Sequence, residues 1–465
     1  MSDVSEDFKF TLKVMINKEK TKVLFAESDS HFVDVLLSFM TLPLGRVIKV
    51  LNNHYGEKAP SIGSLSHLYR TLEHFDNAQF VTQDAKEFLL NPRSSFEDEY
   101  KMLKLDFIDS QSSRQYFCCF NCRHVSHSVS IYYDQPRCQK CLYLFIKELD
   151  VAEASSKGVF ISDKASFIIS DDLQIFHSAT GLFRIISILG IHGIDEAHAI
   201  DVTIGLDEIL SLLKLSIISP TPLSDLILNK ASLVLDSEPK ALVNHNEIRE
   251  NPESTKMVLK LAVQKSKSKV LHAQAGEDFV EFLFSFFNIP LGGLGNLFAG
   301  KTYFMAIDNL QRSIAELIED KYFKSPDMKK KLMKPNLVHG CVSEKYILPI
   351  SQECMTADKS NNIKFLCSYK FPKGQGKYLY GPIAYLVMDD LTVTPFSIHS
   401  VISNLHEKVI PMSDVEEMEL QVGLKEAIRI LKASLTSTSA LTDALLNSIT
   451  IKHPKRSLNM RDATE

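Results

Sequence analysis

Alternating apolar and polar positions open the chain. Phe10, Leu12, Val14 and Ile16 fall on one face of an extended segment, and after a short polar turn a second β-rich run covers Lys22 to Ala26. Two such runs joined by a turn predict a β-hairpin. The period then changes: Phe32, Val35, Leu36 and Phe39 recur at spacings of three and four, which predicts an amphipathic helix, with Asp29 and Ser30 as candidate caps and Pro43 and Gly45 as its stop. Further on, an apolar run closes on two aspartates (ASFIISDDL, Ala165 to Leu173). After it the pattern predicts a helix, a strand at Val202 to Ile204 and a leucine-rich helix from Leu206. These elements specify a mixed α+β class with two lobes in each unit.

The same pattern occurs twice. Residues 12–45 (LKVMINKEKTKVLFAESDSHFVDVLLSFMTLPLG) align without a gap on residues 259–292 (LKLAVQKSKSKVLHAQAGEDFVEFLFSFFNIPLG), with sixteen of the 34 positions identical. GLDEILSLLKLSI from Gly205 matches GLKEAIRILKASL from Gly423, and the aspartate-terminated run returns as AYLVMDDL, Ala384 to Leu391. The chain is therefore expected to be a tandem duplication of one α+β unit, each copy a β-hairpin plus helices followed by a strand-helix-strand-helix lobe. The expected boundaries are a disordered tail at 1–7, the two lobes of copy one at 8–115 and 146–232 around a cysteine segment at 116–145, and a polar linker at 233–255. Copy two follows with lobes at 256–375 and 376–450, and 451–465 form a tail. The helix from Phe279 to Phe287 is apolar almost all round, which predicts burial between the copies rather than an exposed groove.

The start LKVMINKEKTKVLFAES, the helix FVDVLLSFMTLPLG, the segment MDDLTVTPFS and the close GLKEAIRILKASLTS together resemble the plant family of domain of unknown function 674. The resemblance covers nearly the whole chain. It implies a plant protein, duplicated as here, with a cysteine-pair segment in its first half, and it implies no activity. Copy one departs from the pattern where its aspartate pair continues QIFHSAT, without a counterpart of Pro395.

Composition narrows the class further. With 45% hydrophobic and 23% charged residues over 465 positions, the chain can bury sizeable cores without disulfide staples. A formal net charge of −5 argues against nucleic acid held on a broad basic face, and the runs Lys329 to Lys331 and Lys452 to Arg456 read as solvated. The acidic start MSDVSEDFKF lacks the features of a secretory signal, and no apolar stretch is long enough for a membrane span. A cytoplasmic or nuclear protein without membrane contact is expected. In that reducing setting the eight cysteines are thiols or metal ligands.

The cysteines carry the strongest chemical signal. Cys119 and Cys122 form one CxxC pair and Cys138 and Cys141 a second, within YFCCFNCRHVSHSVSIYYDQPRCQKCLYLF. A CxxC turn presents two thiolates on one side of a tight loop, and two such turns supply the tetrahedral sulfur set of a closed structural zinc site. The alternating VSHSVSIYY between them fits a strand of a zinc-ribbon-like insert. Cys118, His124 and His127 lie nearby as substitute ligands, and iron is the alternative metal for four thiolates. The competing readings are four unligated thiols or a redox pair. Copy two has no CxxC, and Cys341, Cys354 and Cys367 read as ordinary thiols.

A second motif is weaker. GNLFAGKT satisfies the phosphate-loop spacing at Gly295, Gly300, Lys301 and Thr302, and YLVMDD places Asp389 and Asp390 where such proteins hold magnesium. The motif needs a preceding strand, yet the preceding residues align with a helix, a proline and a glycine. Copy one also keeps Asp171 and Asp172 without any phosphate-loop pattern, so a turn or cap role explains the acids. His67, His74, His124 and His127 form no spaced set with a nucleophile. The expected function is accordingly a non-enzymatic, zinc-stabilised interaction or scaffold module with a protein partner. The alternatives are a nucleotide-binding enzyme using the GNLFAGKT segment, and nucleic-acid binding around Arg114, Arg123 and Arg137.

Overall fold

The computed structural model describes residues 9–81, 83–103, 105, 116–119, 121, 129–130, 141–149, 159–162, 165–180, 182–188, 197–228, 256–338, 346–352, 356–357, 363–364, 378–381 and 383–446. The strands of the N-terminal half are β1 (Phe10–Ile16), β2 (Val23–Asp29), β3 (Tyr116–Cys119), β4 (Val129–Ser130), β5 (Phe145–Leu149), β6 (Ser166–Ser170), β7 (Ile175–His177) and β8 (His198–Ile204). Its helices are α1 (Ser30–Phe39), α2 (Leu44–Tyr55), α3 (Leu65–His74), α4 (Gln83–Leu90), α5 (Glu97–Met102), α6 (Leu182–Ile188), α7 (Leu206–Ile218) and α8 (Pro222–Ile227). The C-terminal half contributes β9 (Met257–Gln264), β10 (Lys269–Ala275), β11 (Thr356–Ala357), β12 (Ile363–Lys364), β13 (Tyr385–Met388), β14 (Val393–Pro395) and β15 (Val415–Val422). Its helices are α9 (Glu277–Phe284), α10 (Leu291–Leu297), α11 (Met305–Arg312), α12 (Pro326–Met333), α13 (Ile398–Glu407) and α14 (Leu424–Thr436).

The protein is α+β, with two antiparallel five-stranded sheets of the same strand order, β7-β6-β2-β1-β8 and β14-β13-β10-β9-β15. The first hairpin forms as its alternation demands: Leu12, Val14 and Ile16 are buried while Thr11 and Lys13 are exposed. Its turn is closed by the Asn17 side chain, whose Oδ1 accepts from the backbone N–H of Thr21 and Lys22 at 2.8 Å each. Asp29 caps α1 by accepting from Phe32 N.

One expectation changes. The hairpin and the later strands, expected in separate lobes, share one sheet in each half, because β2 pairs with β6 and β1 with β8, as β10 pairs with β13 and β9 with β15. A two-stranded hairpin is at most marginally stable alone, and the later strands complete its ladder on both sides. A further three-stranded sheet, β4-β3-β5, carries the cysteine segment, and β11 pairs with β12.

The halves are locked together by reciprocal contacts. Leu44 N donates to Ile289 O and Leu291 N donates to Leu42 O, both at 2.9 Å, so that Pro43 faces Pro290, its own counterpart in the sequence repeat. Two straps repeat this reciprocity: Val81 N donates to Tyr378 O and Tyr380 N to Gln79 O, while Lys324 N donates to Phe160 O and Ser162 N to Tyr322 O. One continuous apolar core runs from Leu12 to Leu446 through both halves. The Phe279–Phe287 segment is fully enclosed in it, and Phe284 and Phe287 pack edge-on against Phe75 and Tyr69 of the other half. Among the described residues no helix is long and apolar enough to cross a membrane.

Candidate functional site

The cysteine segment is described in part. β3 ends on Cys119, which stands opposite Phe145, the first residue of β5, and Cys141 lies in a turn four residues before that strand. Antiparallel pairing of β3 with β5 therefore brings the start of the first CxxC and the end of the second to one end of the small sheet. Cys141 is half-buried, and beside it Leu142 and Tyr143 are exposed at 66% and 65%. Cys122 and Cys138 lie outside the described residues. Among the described residues no three His, Cys, Asp or Glu side chains converge as a metal site.

The phosphate-loop spacing folds differently from the motif's requirement of strand, loop and helix. Gly295 lies inside α10, where a Cβ would collide with the Gln311 side chain, so close packing of α10 on α11 explains this glycine. Gly300, at φ +74°, closes the end of that helix by donating to Gly295 O at 2.7 Å, and Lys301 N donates to Phe298 O. Thr302 N and Oγ1 both donate to the Asp308 carboxylate, at 3.0 and 2.8 Å. Burial raises the Asp308 carboxyl against the pull of those Thr302 bonds. The three amides from Gly300 to Thr302 thus point at acceptors of the chain itself. Thr302→Ala is expected to lower stability by about 1–2 kcal/mol in urea unfolding. Exposed Lys301, changed to Ala, should leave it within about 0.5 kcal/mol.

The aspartate pairs hold turns and helix starts. Asp171 accepts from Ser224 N and Ser224 Oγ at 2.7 and 2.8 Å, and Asp389 accepts from Thr442 N at 2.8 Å, tying the end of β6 or β13 to the last helical turn of its half. Burial raises both carboxyls, opposed by these hydrogen bonds. Lys269 Nζ lies 3.6 Å from Asp389. Asp390 accepts from Thr392 N within the hairpin turn. Among the described residues no hydrogen bond or ion pair joins Asp389 or Asp390 to Lys301 or Thr302.

A cleft of about 460 Å³ opens where α3 of the N-terminal half meets the β13–β14 turn of the other. His67, Arg70, Thr71 and His74 line one wall, residues 392–395 the opposite wall, and Phe75, Asp76 and Gln79 the end. Spacings of three and four put these four α3 side chains along one stripe beside the buried face formed by Leu65, Leu68 and Leu72. His67 Nδ1 is buried without a hydrogen-bond partner. His74 Nδ1 is within 2.8 Å of Arg70 O. The Arg70 guanidinium is exposed and makes no ion pair among the described residues. Such walls can grip an anion at one end and an apolar body at the other.

The family comparison bears on the whole chain. A family model described as "Protein of unknown function (DUF674)" matches residues 6–420 and 373–465. The chain belongs to this family. No curated protein matches it, and no solved structure matches it. Within this DUF674 chain the cleft was not foreseen from the sequence, where His67 and His74 look scattered. A signal was available, because α3 and α11 carry the same buried stripe but differ in the side chains beside it.

Proposed function

We propose that the chain is a duplicated, non-enzymatic interaction module. Its interlocked halves form a rigid frame, and a zinc ion held by Cys119, Cys122, Cys138 and Cys141 staples a segment that presents a surface to a protein partner. The observation that carries this reading is the pairing of β3 with β5, which sets Cys119 across from Phe145, four residues after Cys141. Exposed Leu142 and Tyr143 beside the second pair supply apolar area of the kind that interface cores use. Four thiolates would leave zinc no open position, so its contribution would be structural, and the plant origin implied by the sequence resemblance belongs to the same reading.

Elemental analysis of the purified chain, beside a Cys119→Ser, Cys122→Ser double variant, tests it. One zinc per chain is expected, lost in the variant. Both changed positions lie outside the two five-stranded sheets, so the main unfolding transition should persist in the variant. A chain free of metal as purified and after zinc addition would overturn the proposal.

A further inference from the structure

The two halves repeat an interface, and the repeat is sealed on one side and open on the other. Along α11 and the π turn that continues it the buried stripe is Ile307, Leu310, Gln311 and Ile314, and on α3 it is Leu65, Leu68, Tyr69 and Leu72. Superposing the stripes puts His67 at the place of Asn309 and Thr71 at that of Ser313. The extra residue of the π turn over Ser313–Leu317 then brings Phe75 onto Ile318. The hairpins match as well. Leu173 and Leu391 share φ near +64° (63° and 65°), Ser170 N donates to Gln174 O, and Met388 N donates to Thr392 O, which equates Asp172 with Asp390 and Ile175 with Val393.

On the sealed side Asn309 Nδ2 donates to Asp172 O and Ile175 N donates to Ser313 Oγ, both at 2.8 Å, closing α11 onto the hairpin. On the open side no hydrogen bond joins His67 or Thr71 to the β13–β14 turn among the described residues, and the cleft lies between them. His67, one of the residues that line it, keeps its Nδ1 buried and unpartnered. A buried nitrogen without a partner costs about 1–3 kcal/mol, so an arrangement that had only to be stable would have kept the seal. Arg70 and His74 stand at the same wall, against a single lining carboxylate, Asp76, whose Oδ1 already accepts from Ala78 N.

We propose that this cleft binds a small organic anion, its carboxylate or phosphate held by Arg70 and His67 and its apolar body lying on Phe75, Val393 and Pro395. The guanidinium supplies a fixed charge with forked donors, which suits either oxyanion. The site lies apart from the cysteine segment and stands or falls independently of zinc.

Calorimetric titration of the full chain with benzoate and with phenyl phosphate tests it, with benzyltrimethylammonium as the control of opposite charge and similar body. Saturable binding of at least one of the two anions is expected, and the tighter of them assigns carboxylate or phosphate. Arg70→Ala, at an exposed position, should weaken it at least tenfold without changing the unfolding midpoint. The double variant His67→Asn, Thr71→Ser copies the sealed side. It should remain folded and lose anion binding, and the ring resonances of His74 should no longer move on titration. No saturable binding of either anion, equal binding of the cation, or an Arg70→Ala variant with unchanged affinity would each overturn the proposal.

Discussion

Asp34→Ala is expected to cost about 3–5 kcal/mol, because it strips the acceptor from three buried amides at once. Asp34 is 1% exposed. Its Oδ1 accepts from Phe160 N and Ile161 N at 3.1 and 2.9 Å, and its Oδ2 from Val159 N at 3.2 Å. Those amides open the strap that crosses to Tyr322 and Lys324, so the carboxylate holds a contact between the halves and not only a local turn. Glu281, its counterpart in the repeat, accepts from Tyr378 N and Leu379 N in the mirror strap. Urea unfolding of Asp34→Ala should show the loss, with Asp34→Asn intermediate because an amide oxygen still serves two of the three donors.

The same residue gives stability a pH dependence with a definite sign. Burial pushes the Asp34 carboxyl up to about 7 from 3.8, against the opposing pull of the three amides. The folded chain therefore holds this proton more tightly than the unfolded one. The associated stability is fully present below about pH 4 and is lost as pH rises to about 7, by at most about 4 kcal/mol. Unfolding midpoints at pH 5 and pH 8 should accordingly fall further in the wild type than in Asp34→Asn. Parallel pH profiles for the two would assign the dependence to other groups.

Local patterns were legible in the sequence and long-range ones were not. The β1–β2 alternation, the Asp29 cap and the three-four spacing of α1 are set by neighbours a few residues apart, and each appears where its period predicts. The meeting of Pro43 with Pro290 depends on two surfaces 247 positions apart, which no period encodes. Asp34 sits among apolar residues in FVDVLL and looks like an ordinary polar helix position. The acid at the matching place in FVEFLF, Glu281, was the available clue that a buried carboxylate is used twice. The phosphate-loop letters misled for a physical reason: glycines recur wherever helices approach closely or end, and Gly295 and Gly300 do one each.

Phe287→Ala is expected to destabilise both halves together, by about 3–5 kcal/mol. The side chain is fully buried, meets the Tyr69 ring edge-on at 5.4 Å and 89°, and lies 6.5 Å from the Phe284 ring, which in turn meets Phe75 edge-on at 5.7 Å. Truncation would leave a cavity between two aromatic rings of opposite halves, where neither backbone can close in without breaking the reciprocal bonds at Leu44 and Leu291. A continuous core also means that neither half retains its buried surface once the other opens, so unfolding should remain one transition in the variant. Hydrogen exchange reads this directly. Amides of the β1–β2 ladder and of the β9–β10 ladder should lose protection by the same factor, although Phe287 belongs to only one of the two halves. Loss confined to the β9–β10 ladder, or a calorimetric trace that splits into two peaks, would show instead that the halves are separate folding units that merely touch.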